Sequence, residues 1–501
     1  MGVLRKAGWV AAAWGLIGAF ALAAVIWRMP VNLALWSAAY GLVYSLSPIL
    51  WLLFTALWLY NLTVETGKFE LLRRWMAIHA SGDARIQAIL VAFCFGALLE
   101  GMIGFGAPVA IAAFLLLGLG FTARKAVIIS LLANTAPVAF GSLGIPIVAL
   151  AGVTGLDLMT LSAMVGRQLP FMSLILPAYL VLVVDGRKGL RETWPAALVG
   201  GASYALGQFL VSNYWGPYAA DIVAAIVSIA CLMVFLRFWK PPSEGAGPGT
   251  AASEDHSLSR SEMLAAWAPW IILAVVMVAW SSLDLFGIGA ISMTIPKIHN
   301  GVFISLYQKP YSAVYTFQPL AAGTAVLGTA VVTAIIFTVR PQVFIRSAIK
   351  TLQQLRLPAL TVCLIVSLAY LYNYSGMAYT LGAALAGLGS VFPFVSAFLG
   401  WVACFLSGSD TASNLLFGNL QVAVGHQIGV NPVLLASTNT TGAVTGKMIS
   451  PQNIAVGVTT VGLAGQEGHI LRSTFWHSVV LATGLGLLAF AQAYWLKWMV
   501  P

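Results

Sequence analysis

From Leu357 to Ser409 the chain has no Asp, Glu, Lys, Arg or His, a run of 53 residues. No fold in water tolerates so long a stretch without a charged residue to keep it solvated. A bilayer requires such stretches, since each helical crossing takes about 20 apolar residues. The rest of the sequence agrees: 60% of residues are hydrophobic and 8% are charged, against about 25% charged in soluble domains. The chain reads as an all-α polytopic membrane protein that meets the lipid bilayer as its solvent.

The net charge of +10 does not point to nucleic acid. No basic patch interleaved with aromatics exists, and Lys and Arg gather in loops, as the positive-inside bias requires. Cys94, Cys231, Cys363 and Cys404 lie far apart in apolar segments and read as small hydrophobes. No cluster of His, Cys and carboxylates suits nucleophilic or metal catalysis, so neither an enzyme nor a cofactor is expected.

The apolar stretches predict roughly 12 to 15 transmembrane segments, allowing about 20 residues each. Residues 1–30 form a first transmembrane helix, uncleaved because its apolar run is long enough to span. Residues 31–184 form a first repeat with broken helices. Connecting helices occupy 185–239 and 263–356, on either side of a polar cytoplasmic linker at 240–262. A second repeat with broken helices covers 357–472, and a last helix covers 473–501. Loops with Lys68, Arg73, Arg74, Arg85, Arg187, Lys188, Arg191, Arg237, Lys240, Arg340, Arg346, Lys350 and Arg356 are read as inside.

Two pieces of the chain resemble each other. NTAPVAFGSLGIPI begins at Asn134 and NTTGAVTGKMISPQ at Asn439. Aligned without a gap, they share Asn134 with Asn439, Thr135 with Thr440, Gly141 with Gly446 and Pro146 with Pro451. Upstream of each come a Tyr-Asn pair, Tyr60-Asn61 and Tyr372-Asn373, and a broken segment, EGMIGFGAPVAIA or SGSDTASNLLFGNLQ. The loop after Asn61 is basic and the loop after Asn373 is not, so the repeats are inverted. Inverted repeats with re-entrant hairpins and broken helices mark secondary transporters.

Breaks inside a membrane are tolerated only within protein or beside a water-filled cavity. Gly104, Gly106 and Pro108 break one segment, Pro137 a second, Ser407-Gly408-Ser409 a third, and Gly442, Gly446 and Pro451 a fourth. The plainer reading, glycines for close helix packing, fits Gly118 and Gly120 better than these polar breaks. Each break frees N–H groups at a half-helix start, where an anion is favoured. The isolated charges Glu100, Asp410 and Lys447 all fall at breaks. Intramembrane charges line a pathway or pair with one another; Lys447 reads as the local counter-charge of Asp410. The plainer role for Asp410 is a helix cap. Asn134, Thr135, Asn414, Asn439, Thr440, Ser450 and Gln452 offer neutral donors and acceptors for a small hydroxy acid. They serve equally to coordinate sodium or to satisfy broken backbone.

GFGAPVAIAA, NTAPVAFGSLG, SGSDTASNLLFGNLQ and GKMISPQNIAVG resemble, in order, the signature segments of the bacterial L-lactate permease family. The resemblance runs from about Leu50 to the C-terminus. It implies uptake of lactate and related 2-hydroxy monocarboxylates such as glycolate by proton symport, in a multi-pass protein of the bacterial inner membrane. A sodium-coupled or dicarboxylate carrier on the same superfamily fold is the alternative. The candidate substrate-binding residues are Gly104, Phe105, Gly106, Asn134, Thr135, Ser407, Ser409, Asn414, Asn439, Thr440, Lys447, Ser450 and Gln452. Asp410 and Glu100 are the candidates for proton coupling. Met102-Ile103 and Ala107 depart from the family pattern toward a more apolar pocket.

Overall fold

The computed structural model describes residues 8–79, 83–104, 106–242, 258–306 and 308–501. Most of the 240–262 linker, and Phe105, lie outside the described residues. Among those residues, nine helices are long and apolar enough to cross a membrane, or ten with one bent pair counted as a span.

The first half begins with α1 (Gly8–Val25), α2 (Val31–Glu65), which has a non-helical residue at Ser47, and the short α3 (Lys68–His79). Next come two arms, α4 (Ala84–Met102) and α5 (Ala107–Gly118), which pack on each other as a hairpin. The reversal needs Gly104 and Gly106, at φ 64° and 79°, where a side chain is disfavoured. Pro108 then starts α5, where its missing N–H costs nothing. The hydrophobic window of α4 is wholly buried, so this arm touches protein on every side rather than lipid.

A helix in two pieces follows, α6 (Ala123–Ala133) and α7 (Gly141–Thr154), bent by 69°. Inside α7, Ser142, Leu143 and Gly144 have φ of 48°, 58° and 73°. Three consecutive left-handed residues, two of them not glycine, are a costly conformation that clusters at functional sites. After α8 (Leu158–Val165), α9 (Leu169–Tyr214) runs for 46 residues but breaks at Gly186, with φ 66° and ψ −159°. An unbroken helix of that length spans about 69 Å, more than twice a bilayer core, so α9 crosses twice and turns at Gly186. The turn lies on the basic face. Buried Arg85, at the start of α4, reaches Asp83 and Glu192 at 2.6 Å and Asp185 at 3.3 Å.

α10 (Ala220–Phe238) and α11 (Arg260–Ser282) complete the connecting helices. Two short antiparallel two-stranded sheets follow, one nested inside the other. β1 (Ile291–Thr294) pairs with β4 (Val314–Phe317), Ile291 opposite Phe317, and β2 (Phe303–Ile304) pairs with β3 (Lys309–Pro310). The chain re-enters through α12 (Ala322–Ile336) and α13 (Pro341–Tyr374), and α14 (Met377–Ala386) leads to the second repeat.

That repeat has the same parts. α15 (Phe392–Ser407) and α16 (Asp410–Ile428) form a hairpin turning at Gly408, with φ 74°. Ser413 of one arm donates to the Gly400 carbonyl of the other at 3.2 Å. α17 (Pro432–Lys447) and α18 (Pro451–Thr460) form the second broken helix, and α19 (Glu467–Tyr494) closes the chain. The fourth break does not lie at Gly442 and Gly446. α17 is regular through both, and the backbone departs only at Met448–Ser450. Gly442 and Gly446 instead let α17 press onto the Ala397 and Trp401 carbonyls of α15, the small-residue packing of membrane helices.

Candidate functional site

The reversals and breaks meet in the interior. Gly104 of the first hairpin faces Ser142 of the first broken helix, and Ser142 donates to the Ile103 carbonyl at 2.9 Å. In the second repeat, Asn453 donates to the Gly408 carbonyl at 3.1 Å. Other contacts cross between repeats. Asn414 donates to the Pro146 carbonyl at 3.0 Å, and Gly106 abuts Asn453.

The strongest crossing is ionic. Lys447 Nζ lies 2.6 Å from Glu100 Oε1, with only 8% and 3% of the two side chains exposed. Asn134 Nδ2 donates to the other oxygen, Glu100 Oε2, at 2.9 Å. The counter-charge of Lys447 is therefore Glu100 rather than Asp410. Lys447 ends α17 of one repeat and Glu100 nears the tip of the hairpin of the other. The two repeats interlock there, which neighbours in sequence do not reveal.

Asp410 is 3% exposed and begins α16, yet it does not cap that helix; Ser409 does, accepting from the Ala412 N–H at 3.3 Å. Asp410 Oδ2 accepts from Thr440 Oγ1 at 2.7 Å. The direction of that bond is fixed from behind. Gln421 donates to Asn439 Oδ1 (3.3 Å), Asn439 to Asn414 Oδ1 (3.0 Å), and Asn414 to Thr440 Oγ1 (2.7 Å). With Asn414 donating to one of its two lone pairs, the Thr440 hydroxyl has its proton free to donate to Asp410. Asp410 Oδ1 is buried and has no partner among the described residues.

Glu100, Ser142, Ser407, Ser409, Asp410, Thr411, Lys447 and Gln452 line one cavity of about 920 Å³. Its wall continues past Ile49, Leu53 and Thr361 to Gly8, Leu357 and Glu467. These last residues begin α1, follow Arg356 and begin α19, so the cavity opens on the lysine- and arginine-rich face. Of the sequence candidates, Glu100, Ser407, Ser409, Asp410, Lys447 and Gln452 reach this cavity. Asn134, Asn414, Asn439 and Thr440 stand behind it, holding the two carboxylates. Ser450 caps α18 through the Asn453 N–H at 3.3 Å, and Thr135 bonds back to the Leu131 carbonyl at 3.4 Å. Gly104 and Gly106 shape the hairpin tip. Ser142 and Thr411 are lining residues that sequence reasoning passed over. The gap-free repeat alignment would have found Ser142, because it falls opposite Lys447.

A carrier of the secondary-transporter class is what this fold and site define: two inverted repeats enclosing a charged pocket at their crossing. More particularly, the chain belongs to the L-lactate permease family, whose sequence profile matches residues 1–496; it is a transporter, not an enzyme. It is 43% identical to "Glycolate permease GlcA" of Escherichia coli (strain K12), over 99% of this chain and 93% of that protein. It is 42% identical to "L-lactate permease" of Salmonella typhimurium, covering 99% and 94%. To "L-lactate permease" of Bacillus subtilis the identity is 41%, covering 100% and 94%. Among solved structures, the YdaH transporter of Alcanivorax borkumensis aligns with a TM-score of 0.54 at 13% identity, covering 99% of this chain and 100% of that one. MtrF of Neisseria gonorrhoeae aligns at 0.51 and 13%, covering 98% and 96%. These two share the fold.

Proposed function

We propose that the protein takes up lactate and related 2-hydroxy monocarboxylates, glycolate among them, together with protons across the bacterial inner membrane. The observation that carries the reading is the Lys447–Glu100 pair at 2.6 Å on the wall of the cavity. An ammonium already bound to a carboxylate is fitted to exchange it for the carboxylate of a substrate. Glu100, displaced and beside a bound anion, then takes a proton. Anion and proton travel together because neither the free lysine nor two adjacent carboxylates is tolerated in a buried site.

The substrate hydroxyl has its own partner. Asp410 Oδ1 is unpartnered and accepts from the 2-hydroxyl when the carboxylate sits on Lys447. Lactate and glycolate share both groups and differ by one methyl, which supports a pocket that takes either. The test is uptake by proteoliposomes under a pH gradient or a sodium gradient imposed separately. Uptake of labelled lactate driven by the pH gradient in sodium-free buffer is the expected result. Uptake that follows sodium and ignores pH refutes the reading.

A further inference from the structure

Behind the first hairpin lies a further buried carboxylate with no part in the scheme above. Asp221, in the first turn of α10, is 1% exposed. Its Oδ1 accepts from the Tyr204 hydroxyl at 2.8 Å and from Gln208 Nε2 at 3.3 Å, both on α9. Its Oδ2 is buried and has no partner among the described residues. Gly101, the residue after Glu100, packs directly on it: a methyl group there would come 2.9 Å from Asp221 Cβ. Gln208 Nε2 also lies 3.4 Å from the Ala136 carbonyl, in the bend between α6 and α7. Asp221 thus touches the hairpin that carries Glu100 and, through Gln208, the first broken helix.

A purely structural group would look different. Asparagine would accept the same two hydrogen bonds without bringing a charge into the interior. The titratable groups facing Asp221 are Tyr204 on α9 and Glu100 on α4, with Cys94 further along α4 turned to Ser228 at 3.2 Å. The Lys447 ammonium acts on it across the hairpin, and Lys447 is bound to Glu100. Two carboxyls and a single ammonium leave one carboxyl without a compensating charge.

We propose that Asp221 is a second proton-carrying residue of the transport cycle, working with Glu100 across Gly101. The proton resides on Oδ2 while Tyr204 and Gln208 hold Oδ1. Asp221 takes this proton from water when substrate displaces Glu100 from Lys447 and adds a negative group to the site, and gives it to water on the far side once the substrate has left. No other bond is made or broken. The role of this residue in transport rests on the proton-coupled reading above, but the presence of its proton does not.

Infrared difference spectra of the purified, substrate-free protein after a pH change test the site directly. The expected result is a carboxylic C=O band that is lost in Asp221→Asn and shifted in Tyr204→Phe. Should Asp221→Asn fail to fold, the Tyr204→Phe shift decides alone. Unchanged bands in the folded variants overturn the proposal. In proteoliposomes, the proton-to-lactate ratio should fall by one in Asp221→Asn. A wild-type ratio in that variant also overturns it, whereas wild-type protein without pH-driven uptake refutes the proton-coupled reading instead.

Discussion

Lys447 and Glu100 lie 347 positions apart in sequence and 2.6 Å apart in space. Each comes from a different repeat, so the bond between them also joins the two halves of the protein. Removing one member leaves a buried, uncompensated charge, at a cost of about 3–5 kcal/mol. Lys447→Met and Glu100→Gln should each lower thermal stability in detergent. The double variant should be more stable than the sum of the two losses, as expected of coupled residues. Lys447→Met, alone or in the double variant, should lose lactate binding, whereas Glu100→Gln should bind lactate and exchange it but concentrate it less on a pH gradient. Calorimetric binding together with counterflow and uptake measurements checks all three.

Asp410 is expected to distinguish hydroxy acids from plain ones. In Asp410→Ala the substrate hydroxyl loses its acceptor, worth about 0.5–1.5 kcal/mol, or roughly 2- to 12-fold in affinity. Competition by lactate and propionate should differ strongly in the wild type and little in the variant. A variant that keeps the wild-type preference places the hydroxyl elsewhere.

Gly141 has ordinary extended backbone, φ −62° and ψ 154°, so alanine is conformationally acceptable there. Its methyl group, however, would come 2.7 Å from Glu100 Oε1 and push that side chain off Lys447. Gly141→Ala should therefore fold and reach the membrane at wild-type levels yet change the apparent lactate affinity several-fold. Comparing uptake kinetics with membrane abundance separates this from misfolding.

The cavity opens on the basic face, so its walls should be reachable from that side alone in the conformation described. In a background without native cysteines, Thr361→Cys and Gln452→Cys should react with a membrane-impermeant thiol reagent in inverted vesicles. In right-side-out vesicles they should react slowly, and lactate should protect Gln452→Cys.

The parts of this site legible in sequence are those that break a local rule. Asp410 ends a 53-residue uncharged run, and Asn134 and Asn439 open matching segments, so each stands out against an apolar background. The pairing of Lys447 was not legible, because proximity along the chain favours Asp410 while the interlocking of repeats delivers Glu100. Asp221 stayed hidden for a different reason. An acid in the first turn of a helix reads as a dipole partner at the membrane surface. Here the preceding turn dips inward, with Pro217 packed on Gly144, and carries that first turn into the interior. The strands between α11 and α12 are two to four residues long, too short to show an alternating pattern.

The gap-free match of the repeats places Ser142 opposite Lys447. Both stand at the break of a broken helix and on the wall of the same cavity, but only one carries a charge. Gene duplication makes two equivalent half-sites, and a protein that kept them equivalent would have two cradles for anions. Here one cradle is cationic and the other neutral, so the proposed anion site lies on one side of the pseudo-symmetric frame rather than on its axis.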